Sequence, residues 1–77
     1  MDKKTIDKVF KAFEEIKSQI PLMCSRWGKK GRYGQFLYGD VVDWIRDVHL
    51  DIYQNKEACN LFARLIIGEY VITSTIL

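Results

Sequence analysis

The chain has 77 residues, of which 48% are hydrophobic and 13% are aromatic. This length allows a single domain, and so high an aromatic content excludes an intrinsically disordered chain. The formal net charge of +2 is unevenly distributed: residues 22–39 carry four basic side chains and no acid, whereas residues 40–57 carry five acids and two basic side chains. We therefore expect a positive loop followed by a negative helix face.

The residues that usually carry chemistry are scarce. The two cysteines, Cys24 and Cys59, are too few for a disulfide framework, and together with His49 they lack metal-ligand spacing. No catalytic triad, Cys-His pair or glycine-rich phosphate motif occurs at useful spacing. The sequence predicts neither a signal peptide nor a membrane-spanning run. The sequence predicts a non-enzymatic protein without cofactor or metal, located in the cytoplasm.

The first predicted element is an amphipathic helix over residues 4–20. Thr5 or Asp2 can cap its start, and Pro21 is expected to end it because proline pushes the preceding residue out of the helical region. Its apolar residues recur at helical spacing: Ile6, Val9, Phe10, Phe13, Ile16 and Ile20.

The next stretch, MCSRWGKKGRYGQF, predicts a short twisted β-hairpin or a mobile loop. Gly28, Gly31 and Gly34 separate aromatic residues from basic ones. Aromatic residues on both sides of a Gly-Lys-Lys-Gly centre are typical of a hairpin arm.

A second helix is predicted over residues 40–53. Asp40 occupies the N-cap position and Asp43 the third helical position, where the positive helix end favours carboxylates. The apolar stripe of this helix contains Val41, Ile45, Val48 and Ile52, widened by Val42 and Trp44. Asp43, Asp47 and Asp51 form a separate acidic stripe, which is either a solvated face or a docking surface for a basic partner.

A third helix is predicted from the Asn55 cap to Gly68, a residue type typical of helix ends. The following YVITSTIL is rich in β-branched residues and predicts a terminal strand. The predicted fold class is therefore α+β: a three-helix bundle with a β-hairpin arm between helices 1 and 2 and a short C-terminal strand, winged-helix-like in layout.

FLYGDVVDWI resembles the signature of the DEP domain, the module named after Dishevelled, Egl-10 and pleckstrin. The matching residues are Phe36, Asp40, Val41, Val42, Asp43, Trp44 and Ile45. A second block, KEACNLFARLIIGEYVI, matches at Glu57, Ala58, Leu65, Ile66, Tyr70 and Val71. The resemblance covers residues 8–74. It implies one DEP-like domain over residues 1–77, with a hairpin arm and a small C-terminal sheet.

The resemblance also implies a docking function in signal transduction. Such domains recruit a host protein to membranes through anionic lipid head groups or through receptor tails, so the resemblance implies a cytoplasmic protein that can lie peripherally at the inner face of a membrane. The candidate binding residues here are Arg26, Trp27, Lys29, Lys30, Arg32 and Tyr33. Each cation near an anionic leaflet contributes about 1 kcal/mol, although a soluble turn explains the same residues equally well. We expect Asp43 and Trp44 to be structural: Asp43 caps a helix end or pairs with the hairpin, and Trp44 packs in the core.

Two alternatives come from other function classes. A winged-helix protein could use the basic hairpin to track nucleic-acid phosphates, but its third helix offers few polar donors and the acidic row of helix two would repel the backbone. A protein-interaction or homodimerisation domain could instead add its C-terminal strand to the sheet of a partner or of a second copy.

Overall fold

The computed structural model describes residues 1–28 and 34–76. These residues form five helices, with a 3-10 turn at Lys17–Gln19 between the first two: α1 (Lys3–Ile16), α2 (Ile20–Gly28), α3 (Gly34–Val48), α4 (Leu50–Tyr53) and α5 (Lys56–Ile76). The described ranges contain no β-strand. The predicted α+β, winged-helix-like fold is therefore wrong, because both segments expected to be β are largely helical.

The start of α1 confirms the prediction. The backbone N–H of Thr5 donates to the carboxylate of Asp2 at 2.9 Å, so Asp2 is the N-cap, and hydrogen bonding with Thr5 lowers the pKa of Asp2. The buried face contains Val9, Ala12 and Phe13. The α-helix ends at Ile16, earlier than predicted, and gives way to the 3-10 turn.

Pro21 begins a helix instead of ending one. It is the second residue of α2, and a proline in the first turn of a helix removes only an N–H that would have no intrahelical partner. The residues that follow, up to Gly28, are helical. The predicted hairpin is thus replaced at its start by α2 and, from Gly34, by α3; its centre at residues 29–33 lies outside the described residues.

The FLYGDVVDWI segment lies inside α3 and not at its start. The helix begins at Gly34, so Asp40 is six residues in and Asp43 nine. The predicted N-cap role of Asp40 and first-turn role of Asp43 are therefore wrong. The α3 helix ends at Val48, and His49 leaves the helical region at φ −129° and ψ 62° before α4 begins.

The last helix, α5, replaces the predicted third helix and the terminal strand. The Asn55 cap is confirmed, because the N–H of Ala58 donates to its side-chain oxygen at 3.2 Å. The helix continues through Gly68 to Ile76. The hydroxyl of Thr73 donates to the carbonyls of Glu69 and Tyr70 at 2.8 and 3.1 Å. Residues 70–76 are therefore helical in this structure, and the predicted terminal strand is wrong.

The core forms around α5, against which the other four helices pack. Its 21 residues correspond to a length of about 32 Å, close to the 35 Å long dimension of the molecule. The amino group of Met1 lies 3.2 Å from the carboxylate of Glu57, so α1 and α5 begin at the same end. The largest side chains that are fully buried are Val9, Ile20, Cys24, Val41, Ile45, Phe62 and Ile66.

Candidate functional site

The exposed residues of α2 belong to residues 22–39, the part of the sequence that carries four basic side chains and no acid. Leu22 is 62% exposed, and Arg26, one helical turn further on, is also exposed. Ile20 and Cys24 point to the opposite side and are buried. Arg26 lies in the last turn of α2, where the helix dipole favours a cation, and no described carboxylate lies within ion-pair distance of it. The α2 face therefore combines an apolar side chain with an uncompensated positive charge.

The structure places only part of the predicted binding set. Arg26 is on this face, whereas Lys29, Lys30, Arg32 and Tyr33 lie outside the described residues. Trp27 is half-buried and packs against the core. Its ring therefore helps to hold the end of α2 against the bundle.

Trp44 belongs to a cluster of three rings, which we call the aromatic cluster: Trp44, His49 and Phe62. Each pair makes an edge-to-face contact, with ring centroids 5.4 Å apart for Trp44–His49, 6.0 Å for Trp44–Phe62 and 5.4 Å for His49–Phe62. Phe62 is fully buried, and the other two rings are half-buried. The contacts with Trp44 and Phe62 hold the imidazole of His49 in place between the end of α3 and the start of α4.

The other signature residues are divided between the core and the remaining positions of α3. Ile45 is buried, and Val42, Leu65 and Tyr70 pack against the core from partly buried positions. Asp40 is half-buried and Asp43 exposed on α3, and Phe36 lies in the first turn of the same helix.

The predicted acidic stripe is partly neutralised by ion pairs. Arg46 lies 3.9 Å from Asp43 and 3.6 Å from Asp47. Asp51 accepts a hydrogen bond from Lys8 of α1, which lowers the pKa of Asp51. Exposed pairs of this kind contribute little stability. They do reduce the negative field that a basic partner would meet.

A cleft between α1 and the His49–Ile52 region was missed by the sequence prediction. Its volume is about 180 Å³, and its lining residues are Lys8, Lys11, Ala12, Glu15, His49 and Ile52. The only sequence signal is that the four α1 residues share one helix face. Nothing in the sequence indicates that residues almost 40 positions later form the other wall.

Both cysteines are buried and free. Burial raises the pKa of the Cys24 thiol to about 11 and also raises that of Cys59. The thiolate is the reactive form of cysteine, so these buried thiols are poor nucleophiles at neutral pH. Within residues 1–28 and 34–76, no group of three or more His, Cys, Asp or Glu residues could hold a metal ion.

None of the helices in the described part of the chain has both the length and the apolar character needed to cross a bilayer. Comparisons of the chain with protein-family models, with curated proteins and with solved structures found no match.

Proposed function

We propose that the chain is a non-enzymatic docking module that binds an anionic membrane surface through residues 22–33, which we call the basic segment. The observation that supports this most strongly is the exposed α2 face, where Leu22 and Arg26 lie on the same side of the helix. The basic segment adds Lys29, Lys30 and Arg32, and it contains no acidic residue.

The chemistry of this face suits a lipid surface better than a purely polar partner. Cations near an anionic leaflet contribute about 1 kcal/mol each, and an exposed leucine can enter the boundary between head groups and acyl chains. The charge contribution is screened beyond a Debye length of about 8 Å at physiological salt. Binding should therefore be reversible and sensitive to salt.

The DEP-like residue pattern also suggests a docking function, but it is not sufficient support by itself. The fold it implies, with a hairpin arm and a C-terminal sheet, is contradicted by α2 and α5. Support for membrane docking therefore comes from the exposure of Leu22 and Arg26 and from the charge of the basic segment. A receptor tail or another signalling protein becomes the favoured partner if lipid binding fails.

The test is co-sedimentation with phosphatidylcholine vesicles, with and without phosphatidylserine, at low and at physiological salt. We expect binding only to the anionic vesicles, weakening as salt rises. The quadruple variant R26Q/K29Q/K30Q/R32Q should lose binding, because it removes about 1 kcal/mol for each of four cations. Leu22→Ser should weaken binding while leaving the salt dependence intact.

The matched control is K3Q/K4Q/K17Q/K56Q, which removes the same net charge from exposed positions outside the basic segment. It should retain most of the binding. An equal loss in both quadruple variants would mean that net charge alone attracts the protein, and equal binding to neutral and anionic vesicles would also contradict the proposal.

Duplex DNA carries negatively charged phosphates, as anionic lipid head groups do. Its binding therefore tests the nucleic-acid alternative directly. We expect no retarded band with a random duplex at a salt concentration where anionic vesicles still bind. A band that disappears in R26Q/K29Q/K30Q/R32Q would assign the basic segment to nucleic acid instead.

A further inference from the structure

The α5 helix carries a second apolar row beside the one that faces the core. The core-facing row includes Phe62 and Ile66, which are both fully buried. The second row follows spacings of four, three and four residues, which are the a and d positions of a coiled coil. We call it the α5 seam, and its members are Leu61, Leu65, Gly68 and Ile72.

The α5 seam remains accessible in the folded chain. Ile72 is 58% exposed. Gly68 is also exposed, and a Cβ added there would meet nothing within 4 Å. Leu61 and Leu65 are half-buried and pack against the core with part of their surface. The seam therefore offers apolar side chains and, at Gly68, room for the close approach of another helix.

Two opposite charges flank the α5 seam. Arg64 is exposed at the g position and Glu69 is half-buried at the e position of the repeat. Neither forms an ion pair with another residue that the structure describes. They are five residues apart, so they are not neighbours on one helix, where pairs form at three or four residues.

The positions of these charges match a second copy of the same helix. In a parallel pair of helices, a g residue of one chain meets the e residue of the next heptad of the other. Arg64 would thus meet Glu69 of the second copy, and the two-fold symmetry would form the same pair again on the other side. An antiparallel pair would instead place Arg64 beside Val71 and Glu69 beside Phe62, so both charges would stay unpaired.

We infer that the α5 seam binds a second copy of this chain in parallel orientation. Leu65 and Ile72 pack against the same residues of the second copy, and two Arg64–Glu69 pairs set the orientation. From Leu61 to Ile72 the seam is about 18 Å long. So short an interface gives a weak dimer, and its population rises with protein concentration.

The test is sedimentation equilibrium of the full chain from micromolar to millimolar concentration. The mass should rise from the 9.1 kDa of the monomer towards twice that value. Arg64→Glu and Glu69→Arg should each raise the dissociation constant of the dimer about tenfold, because each puts like charges at both symmetric contacts. The swap R64E/E69R should restore the affinity, since the two residues meet only between copies.

Matched controls separate this contact from a general effect of charge. Lys11→Glu and Glu14→Arg make the same reversals at exposed positions of α1, and they should leave the dissociation constant unchanged. Ile72→Ser should raise it at least tenfold, because each copy loses an apolar side chain from the interface.

Cross-linking tests the orientation. Under mild oxidation, Ile72→Cys chains should form a covalent dimer, because a parallel pair brings residue 72 of both copies together. The unmodified chain is the control, since its own Cys24 and Cys59 are buried. An antiparallel pair would instead cross-link a mixture of Leu61→Cys and Ile72→Cys chains.

Four results would overturn the inference: a monomer mass at every concentration, no recovery in R64E/E69R, equal losses in the α1 controls, or Ile72→Cys chains that do not cross-link. The experiments contain no vesicles, and none of the variants changes the basic segment. Their outcome is therefore independent of membrane docking.

Discussion

At the scale of single residues, the sequence predicted that Trp44 is a core residue but could not predict which residues its ring contacts. Its place on an apolar helix stripe indicated a core residue. The structure adds that it is half-buried and that its ring meets the edges of His49 and Phe62. Phe62 lies 18 positions further along the chain and on another helix, so no local pattern could reveal that contact.

Replacement of Trp44 by alanine should lower the free energy of unfolding by about 3 kcal/mol, near the lower end for large aromatic residues because the ring is half-buried. Trp44→Phe is the control, since a smaller ring keeps an edge contact with Phe62 and should cost less. Urea denaturation measures both variants. A near-neutral alanine variant would contradict the packing of Trp44 against the core and make it a surface contact.

At the scale of helices, the sequence predicted the elements whose signals are local. The Asp2 cap of α1 and the Asn55 cap of α5 are confirmed, because each depends on one side chain and a backbone N–H three residues later. The apolar period of α1 also predicted the buried positions of Val9 and Phe13, but it missed Ala12 and wrongly included Phe10, which is 43% exposed. These signals need no knowledge of the rest of the fold.

The elements that were wrong depend on weaker or ambiguous signals. Pro21 is compatible with the end of one helix and with the first turn of the next, and the sequence alone does not separate the two. The β-branched run after Gly68 favours a strand, but its cost in a helix is only a few tenths of a kcal/mol per residue. Packing of Ile66, Ile67 and Tyr70 against the core and the backbone hydrogen bonds of Thr73 favour the helix.

Two glycines provide a direct test of the helix assignments. Gly39 lies inside α3 and Gly68 inside α5, neither has a positive φ, and a Cβ added at either would meet nothing within 4 Å. Alanine at each position should therefore raise the free energy of unfolding by about 0.5–1 kcal/mol, because glycine loses more backbone entropy in a helix.

The double variant G39A/G68A should show nearly additive gains in thermal unfolding, since the sites lie on different helices. If instead Gly39 formed a turn or Gly68 ended a helix with positive φ, alanine would lower the melting temperature. The sign of the change therefore distinguishes the all-helical arrangement from the one that the sequence suggested.

At the scale of the whole molecule, the basic segment and the cleft differ in how much of each can be predicted from the sequence. The basic segment is continuous, so its charge is evident from the sequence, although the helical structure of its residues 22–28 is not. The cleft is assembled from α1 and the His49–Ile52 region, so it exists only once the helices have packed. The segment most visible in the sequence, FLYGDVVDWI, lies in neither site and instead helps α3 pack against α5.

The measurement that tests the account most directly is the set of backbone Cα chemical shifts of the protein in solution. The all-helical arrangement predicts helical shifts throughout Ile20–Gly28, Gly34–Val48 and Lys56–Ile76. Extended shifts at residues 22–28 or 70–76 would contradict it. They would restore the hairpin arm or the terminal strand and remove the α2 face on which the docking proposal depends.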